Sequence, residues 1–208
     1  MAHLADRSAS GRPGRPPATS HEEIARVGLQ LFAEQGFDAV SVEDIAAAAG
    51  VGRRTLFRYY PSKNDIAWGT FDAHLEDWER WIDTGTEGLD LLGAVRAAVL
   101  HFNHFSPEVM VSHRLRMSLI LENPALQAHA TLRYERWRAV IARLAASRLG
   151  CDASDFRPTV LAHLTLGAAL ASYELWLRDP ETDLLALLNE AMDVLSAPAA
   201  SDGPEDPR

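Results

Sequence analysis

One cysteine, Cys151, and one lysine, Lys63, are all that the 208 residues hold of either type. A lone thiol excludes an intrachain disulfide, so a reducing, cytoplasmic setting is expected. No run approaches 18 apolar residues, and no membrane span is expected. The N-terminal MAHLADRSASGRPGRPP has basic residues without an apolar stretch, which does not make a secretory signal. Sustained alternation of apolar and polar residues is missing, which argues against strands, and there is no internal repeat. Motifs of catalysis are missing too. There is no nucleophile elbow, no phosphate-cradling glycine loop and no paired-carboxylate signature, so neither an enzyme nor a bound cofactor is expected. His101 and His104 share a helix face, but zinc asks for three or four ligands and Cys151 is far away in sequence, so no metal site is expected.

What is present is a 47% hydrophobic chain with a net charge of −9. That balance argues at first against nucleic acid, but its distribution reverses the inference. Residues 1–63 carry eight basic and seven acidic side chains, so all the excess negative charge lies beyond them. The basic groups also cluster, at Arg12 and Arg15 and again from Arg53 to Lys63. A basic end on an acidic body suits a DNA-binding head attached to a separate domain.

Helix signals run almost end to end. Ser20 and Glu23 read as a capping box for a helix over 21–35, stopped by Gly36. Ser41 with Asp44 caps a short second helix that Gly50 stops, and a third begins at Gly52 or Arg53 and ends before Pro61. Ser62 with Asp65 caps a fourth, read as continuous to Gly85. Longer patterns follow over 89–105, 107–121, from Asn123-Pro124 to 149, over 154–178, and from Asp179-Pro180 to 196. The expected fold class is all-α, divided into a flexible arm (1–18), a DNA-binding domain (19–66), a helical ligand-binding and dimerisation domain (67–196) and a disordered tail (197–208).

The central signal is SVEDIAAAAGVGRRTLFRYYPSK, residues 41–63. Two short helices meet at Ala49-Gly50-Val51, where small side chains permit close approach and glycine permits the bend. This is a helix-turn-helix, whose second helix enters the major groove. Arg53 and Arg54 stand at its start, where a guanidinium can bond a guanine edge bidentately. Thr55, Arg58, Tyr59, Tyr60 and Lys63 offer hydroxyls and charges to phosphates. Leu56 is read as core, and Phe57 as core or as packing on a sugar. A helical interaction module or activator without ligand sensing is the rival reading, which the basic helix argues against.

The stretch LFAEQGFDAVSVEDIAAAAGVGRRTLFRYYPSKNDI resembles the N-terminal block of TetR-family regulators, and the specific match covers about 50 residues. The family's usual tyrosine after Thr-Leu is Phe57 here, which loses a hydroxyl. The resemblance assigns Ser41, Thr55, Tyr59 and Lys63 to phosphates, places Arg53 and Arg54 on bases, and implies dimers that usually repress. GRPPATSHEEIARVGLQLFAEQGF, GRRTLFRYYPSKNDIAWG and FDAHL also resemble those members of the family found with the mycofactocin system. The arm GRPGRPP is either a thin segment that lays Arg12 and Arg15 in a narrow minor groove, or a tail whose charge adds non-specific affinity.

In TetR-like regulators the last two long helices dimerise and the C-terminal domain holds a ligand. LAHLTLGAALASYELWL (161–177) is apolar on nearly all sides, which requires burial against a second copy. Two recognition helices would then meet a palindromic double-stranded operator. Candidate pocket residues are Phe102, Phe105, Arg114, Met117, Ile120, Leu121, Tyr134, Trp137, His163 and Leu166, though for any one of them taken singly a core role is the more common reading. Arg114 and Arg116 lie within VSHRLRMSLIL and need partners, either surface carboxylates or an anionic ligand group. Within the family, acyl-CoA thioesters are a recurrent effector class. Coupling between ligand and DNA is expected to run through the fourth helix.

Overall fold

The computed structural model describes residues 19–196, and all its regular structure is helical. Arg12 and Arg15 lie outside the described residues. Helix α1 (His21–Gln35) starts where Ser20 Oγ accepts the Glu23 N–H at 3.1 Å. It ends at Gly36, whose φ of +86° suits glycine. Its buried face includes Ile24, Val27, Leu29 and Phe32. Helix α2 (Val42–Ala48) carries a reciprocal box. Ser41 Oγ accepts the Asp44 N–H, and the Asp44 carboxylate accepts the Ser41 N–H at 2.8 Å. After the Gly50 turn, α3 (Arg53–Tyr59) buries Leu56 completely. Helix α4 (Lys63–Trp68) then crosses α1 so closely that a Cβ on Gly28 would stand 2.5 Å from Ile66 Cγ2.

The fourth helix is not continuous as expected. It stops at Trp68, and α5 (Phe71–Gly85) begins after Gly69 and Thr70. Gly69 has φ +62° and ψ −128°, a backbone no helix continues through. The apolar periodicity runs on through both sides and conceals the break in the sequence. Helix α6 (Leu91–Phe102) is capped by the Asp90 carboxylate, and α7 (Pro107–Glu122) starts with proline at its first position. In α8 (Pro124–Leu149) the Asn123 side chain caps the start and left-handed Gly150 ends it. An exposed turn holding Cys151 leads to α9 (Phe156–Arg178). The last helix, α10, is Leu184–Ser196 and starts four residues later than expected. Asp179 makes a turn instead, its carboxylate accepting the Glu181 N–H and its carbonyl the Thr182 N–H.

Helix α9 is the spine of the body, packed on α8 and α10. Its length and composition would suit a membrane span, yet Thr165, Leu166, Ala169, Tyr173 and Trp176 are buried in the bundle core. Its opposite side is bare. Phe156, Leu164, Gly167, Ala171 and Leu175 form an exposed stripe at helical spacing. Arg96 of α6 ties down α10 through Asn189 and Asp193. Trp78 stacks on Trp137 at 5.3 Å and donates its indole N–H to the Ala98 carbonyl, joining α5, α6 and α8.

Candidate functional site

Gly52, Arg53, Arg54, Phe57 and Arg58 are exposed on α3, and Thr55 is half-buried beside them. Leu56 points inward, so the helix-turn-helix core holds α3 by one side and offers the other to solvent. Arg53 Nη1 pairs with Glu43 Oε1 of α2 at 2.9 Å and its guanidinium lies 5.4 Å from the Phe57 ring centroid. Both members of the pair are exposed, so the contact is weak and exchangeable. Arg58 rests against the Tyr59 ring.

Four of the expected phosphate contacts have structural duties. Tyr60 is a correction. It is 4% exposed, donates its hydroxyl to the His21 carbonyl at 2.9 Å, and has its phenol pushed up to about 12 by burial. It pins the end of α3 to α1 and presents nothing to DNA. Tyr59 donates to the Thr19 carbonyl at 2.9 Å. Lys63 gives two of its three N–H donors to the Phe37 and Val40 carbonyls and sits 4.3 Å from the Phe37 ring centroid. Ser41 is committed to the capping box.

The body holds a partly open cavity of about 180 Å³. Phe102, Phe105, Met117, Ile120, Tyr134, Trp137 and Leu166, all named from sequence, line it together. Three others do not. Arg114 turns outward, its guanidinium 4.3 Å from the Trp176 ring centroid and bonded to the Asp179 carbonyl beyond the C-terminus of α9. His163 is exposed on α9, and Leu121 faces away from the cavity and packs at the edge of the core. Arg116, for which an anionic ligand group was one of the two partners considered, also lines the cavity, together with Trp68, Phe71, His74, Asn103, His113 and Tyr173, which were not among the candidates. Phe71, His74 and Trp78 at i, i+3 and i+7 were a readable inward face. Nothing local distinguished His113 and Tyr173, which are 60 residues apart.

Those last two belong to a fixed polar chain. Asn103 Nδ2 donates to the Val99 carbonyl, so its Oδ1 must accept, and it accepts the Tyr173 hydroxyl at 2.6 Å. The Tyr173 proton being spent, His113 Nε2 must be the donor in its 2.7 Å contact with that hydroxyl. Burial, with help from the nearby charge of Arg116 and from His74, pushes His113 down to about 3 and keeps it neutral. His101 stacks flat on Trp81 at 3.7 Å. Among the described residues no group of three His, Cys, Asp or Glu could hold a metal ion.

Arg116 is the one arginine of the wall, and no lysine or carboxylate joins it there. Its Nε–H is buried without an acceptor, as is the Trp68 indole N–H. The guanidinium packs on Gly69, where an added Cβ would lie 2.9 Å from Cζ. Glycine at 69 is thus required twice, by its φ and by this contact. Asp65 of α4 meets Arg133 of α8 at 2.8 Å, with His129 at 3.6 Å. Burial alone would raise the Asp65 carboxyl, but bonds from Ser62 and Arg133 and the charges of Arg133 and His129 hold it below the usual range. The wall of the cavity and the DNA-binding head therefore share α4.

Residues 24–67 match the bacterial regulatory proteins of the tetR family, and residues 89–200 match the MftR C-terminal domain. The chain is 46% identical over 186 residues to the proposed mycofactocin biosynthesis transcriptional regulator MftR of Mycobacterium tuberculosis, spanning 89% of this chain and 94% of that one. It is 30% identical over 191 residues to the transcriptional regulator TcmR of Streptomyces glaucescens, spanning 87% and 84%. Among solved structures, the TetR-family repressor FadR of Thermus thermophilus, in complex with lauroyl-CoA, superposes with a TM-score of 0.59 at 22% identity. That match covers 91% of this chain and 100% of that one, and it shows a shared fold. The chain is a transcriptional regulator of the TetR family that carries the C-terminal domain of the MftR type.

Proposed function

We propose that the protein is a dimeric repressor that holds a palindromic operator and releases it when a small acyl compound, as a coenzyme A thioester or a free acid, fills the body cavity. It would act in the cytoplasm, where the DNA is. The observation that carries the reading is the position of Trp68. The side chain lines the cavity, and its helix α4 packs against α1 of the DNA-binding head. Occupancy of the cavity therefore acts on the head without an intermediary. The exposed face of α3 supplies the base-reading arginines, and the bare stripe on α9 supplies a surface for a second copy. The lauroyl-CoA held by the Thermus FadR makes acyl thioesters the first class to test.

The test is a gel shift with the promoter region beside the gene, titrated with salt and with acyl compounds. Specific, salt-sensitive binding that one ligand relieves is expected. Binding indifferent to sequence, or no binding with Arg53→Ala and Arg54→Ala changing nothing, would remove the DNA-binding role.

A further inference from the structure

We propose that Arg133 is a positioning residue of the ligand response: its pair with Asp65 is a releasable tie between head and body, and its release lets α4 turn at Gly69-Thr70 while α5 stays fastened to α8. The inference rests on the function proposed above and names the contact through which the cavity reaches the head. Acidic or hydroxyl side chains recur every seventh residue along α4, α5 and the turn that follows, at Asp65, Asp72, Glu79 and Thr86. Each meets an arginine of α8. Asp65 pairs with Arg133, Asp72 with Arg136 and Glu79 with Arg143, and Thr86 accepts from Arg148 through both its hydroxyl and its carbonyl. The backbone break at Gly69 falls between the first rung of this ladder and the second. The ladder therefore holds α5 on α8 at three levels and α4 at one. Among the described residues, the bond from Arg133 to Asp65 is also the only side-chain hydrogen bond between helices α1–α4 and helices α6–α10.

That first rung differs in kind from the next two. The Arg133 and Asp65 side chains are 12% and 17% exposed, whereas Asp72, Glu79, Arg136 and Arg143 are far more open to solvent. Breaking a buried pair changes energy strongly, and breaking an exposed one changes it little. Arg133 also has three neighbours at once. Its Nη2 donates to Asp65 Oδ1 at 2.8 Å and its Nη1 donates to His129 Nδ1 at 3.0 Å. A guanidinium only donates, so His129 Nδ1 accepts, which leaves the ring proton on Nε2, 3.6 Å from Asp65 Oδ1. The third neighbour is Trp68, whose ring centroid lies 5.1 Å from the guanidinium and whose side chain lines the cavity. A ligand that displaces the indole removes the surface on which Arg133 rests. Release also frees Arg133 Nε–H, which is buried without an acceptor, to bond water. Under the repressor reading the closed tie is the DNA-holding pose, because a ligand at Trp68 opens it.

Hydrogen exchange of the full chain, read by mass spectrometry, tests the joint without DNA or ligand. Arg133→Gln is expected to speed exchange across residues 63–70 by about tenfold or more and to leave 74–85 as in the parent. Faster exchange in both segments would mean that α4 and α5 move as one rod, and no change in either would mean that the pair positions nothing. Either result overturns the proposal. Arg143→Gln, at an exposed rung, is expected to leave 63–70 unchanged, and an equal rise there would overturn the assignment to Arg133. Arg133→Lys keeps a cation beside Asp65 without the planar fork and is expected to speed the same segment to a lesser degree. If the glutamine variant does not fold, a lysine variant indistinguishable from the parent overturns the proposal. In a gel shift with the promoter region, Arg133→Gln is expected to weaken binding by about tenfold, although Arg133 lies outside the head. Unchanged affinity would overturn its role in the response. A parent chain that binds no DNA would remove the function proposed above, while the exchange contrast still decides the joint.

Discussion

At the scale of single residues, two electrostatic arrangements make predictions. His113 is neutral when folded down to about pH 3, whereas an unfolded histidine takes its proton near 6.5. The unfolded chain therefore binds the extra proton between those values, and stability is expected to be full above pH 6.5 and to decline as the pH falls toward 3. His113→Gln should flatten that part of the midpoint-against-pH curve relative to the parent. Parallel curves for the two proteins would sink the assignment. On the DNA face, Glu43 holds Arg53 in the free protein. Glu43→Gln is expected to tighten DNA binding several-fold at low salt, with the gain shrinking as salt rises. The basic-aromatic density of residues 53–63 made this face legible in sequence. Sequence could not tell which members point inward. Tyr60 and Lys63 carry side chains suited to phosphate, and only the packing of α3 on α1 shows that carbonyls have claimed them.

At the scale of elements, capping chemistry did most to make the fold readable. Ser20, Ser41 and Ser62 cap three helices of the head, and Gly50 and Gly150 stand at left-handed stops. The α4–α5 break was illegible because Trp68, Phe71, Leu75, Trp78 and Ile82 keep an unbroken apolar rhythm across it, and a glycine within a helical pattern does not by itself announce a break. Gly69→Ala is expected to cost about 1–3 kcal/mol, since alanine must both adopt the strained φ and displace Arg116. Urea unfolding measures this, and a change below a few tenths of a kcal/mol would mean that the joint relaxes freely. Because Arg116 leans on the same glycine, the substitution should also change how ligand affects DNA affinity.

At the scale of the whole molecule, the bare stripe of α9 is the feature a monomer does not explain. Leu164 is 53% exposed and Leu175 is 49% exposed, and Gly167 has open space where a side chain would be. Leu164→Glu is expected to leave the helical content intact while converting a dimer to a monomer in light scattering, and to weaken operator binding by an order of magnitude or more. A variant that stays dimeric would place the interface elsewhere. The apolar helix was evident in the sequence. Its division into a core side and an open side depends on where α8 and α10 lie, so the cavity's far wall at Ala169 and Tyr173 came into view only with the bundle assembled.

The exposed turn between α8 and α9 carries the molecule's only thiol. Burial effects together with the nearby Asp155 and Asp152 charges raise the Cys151 thiol, so it reacts more slowly than an ordinary surface cysteine. It still needs no competing cysteine removed. One spin label attached there gives one reporter per chain, and two reporters in a paired assembly define a single distance. Dipolar spectroscopy would then read the geometry of the pair, with and without DNA, on the unaltered sequence.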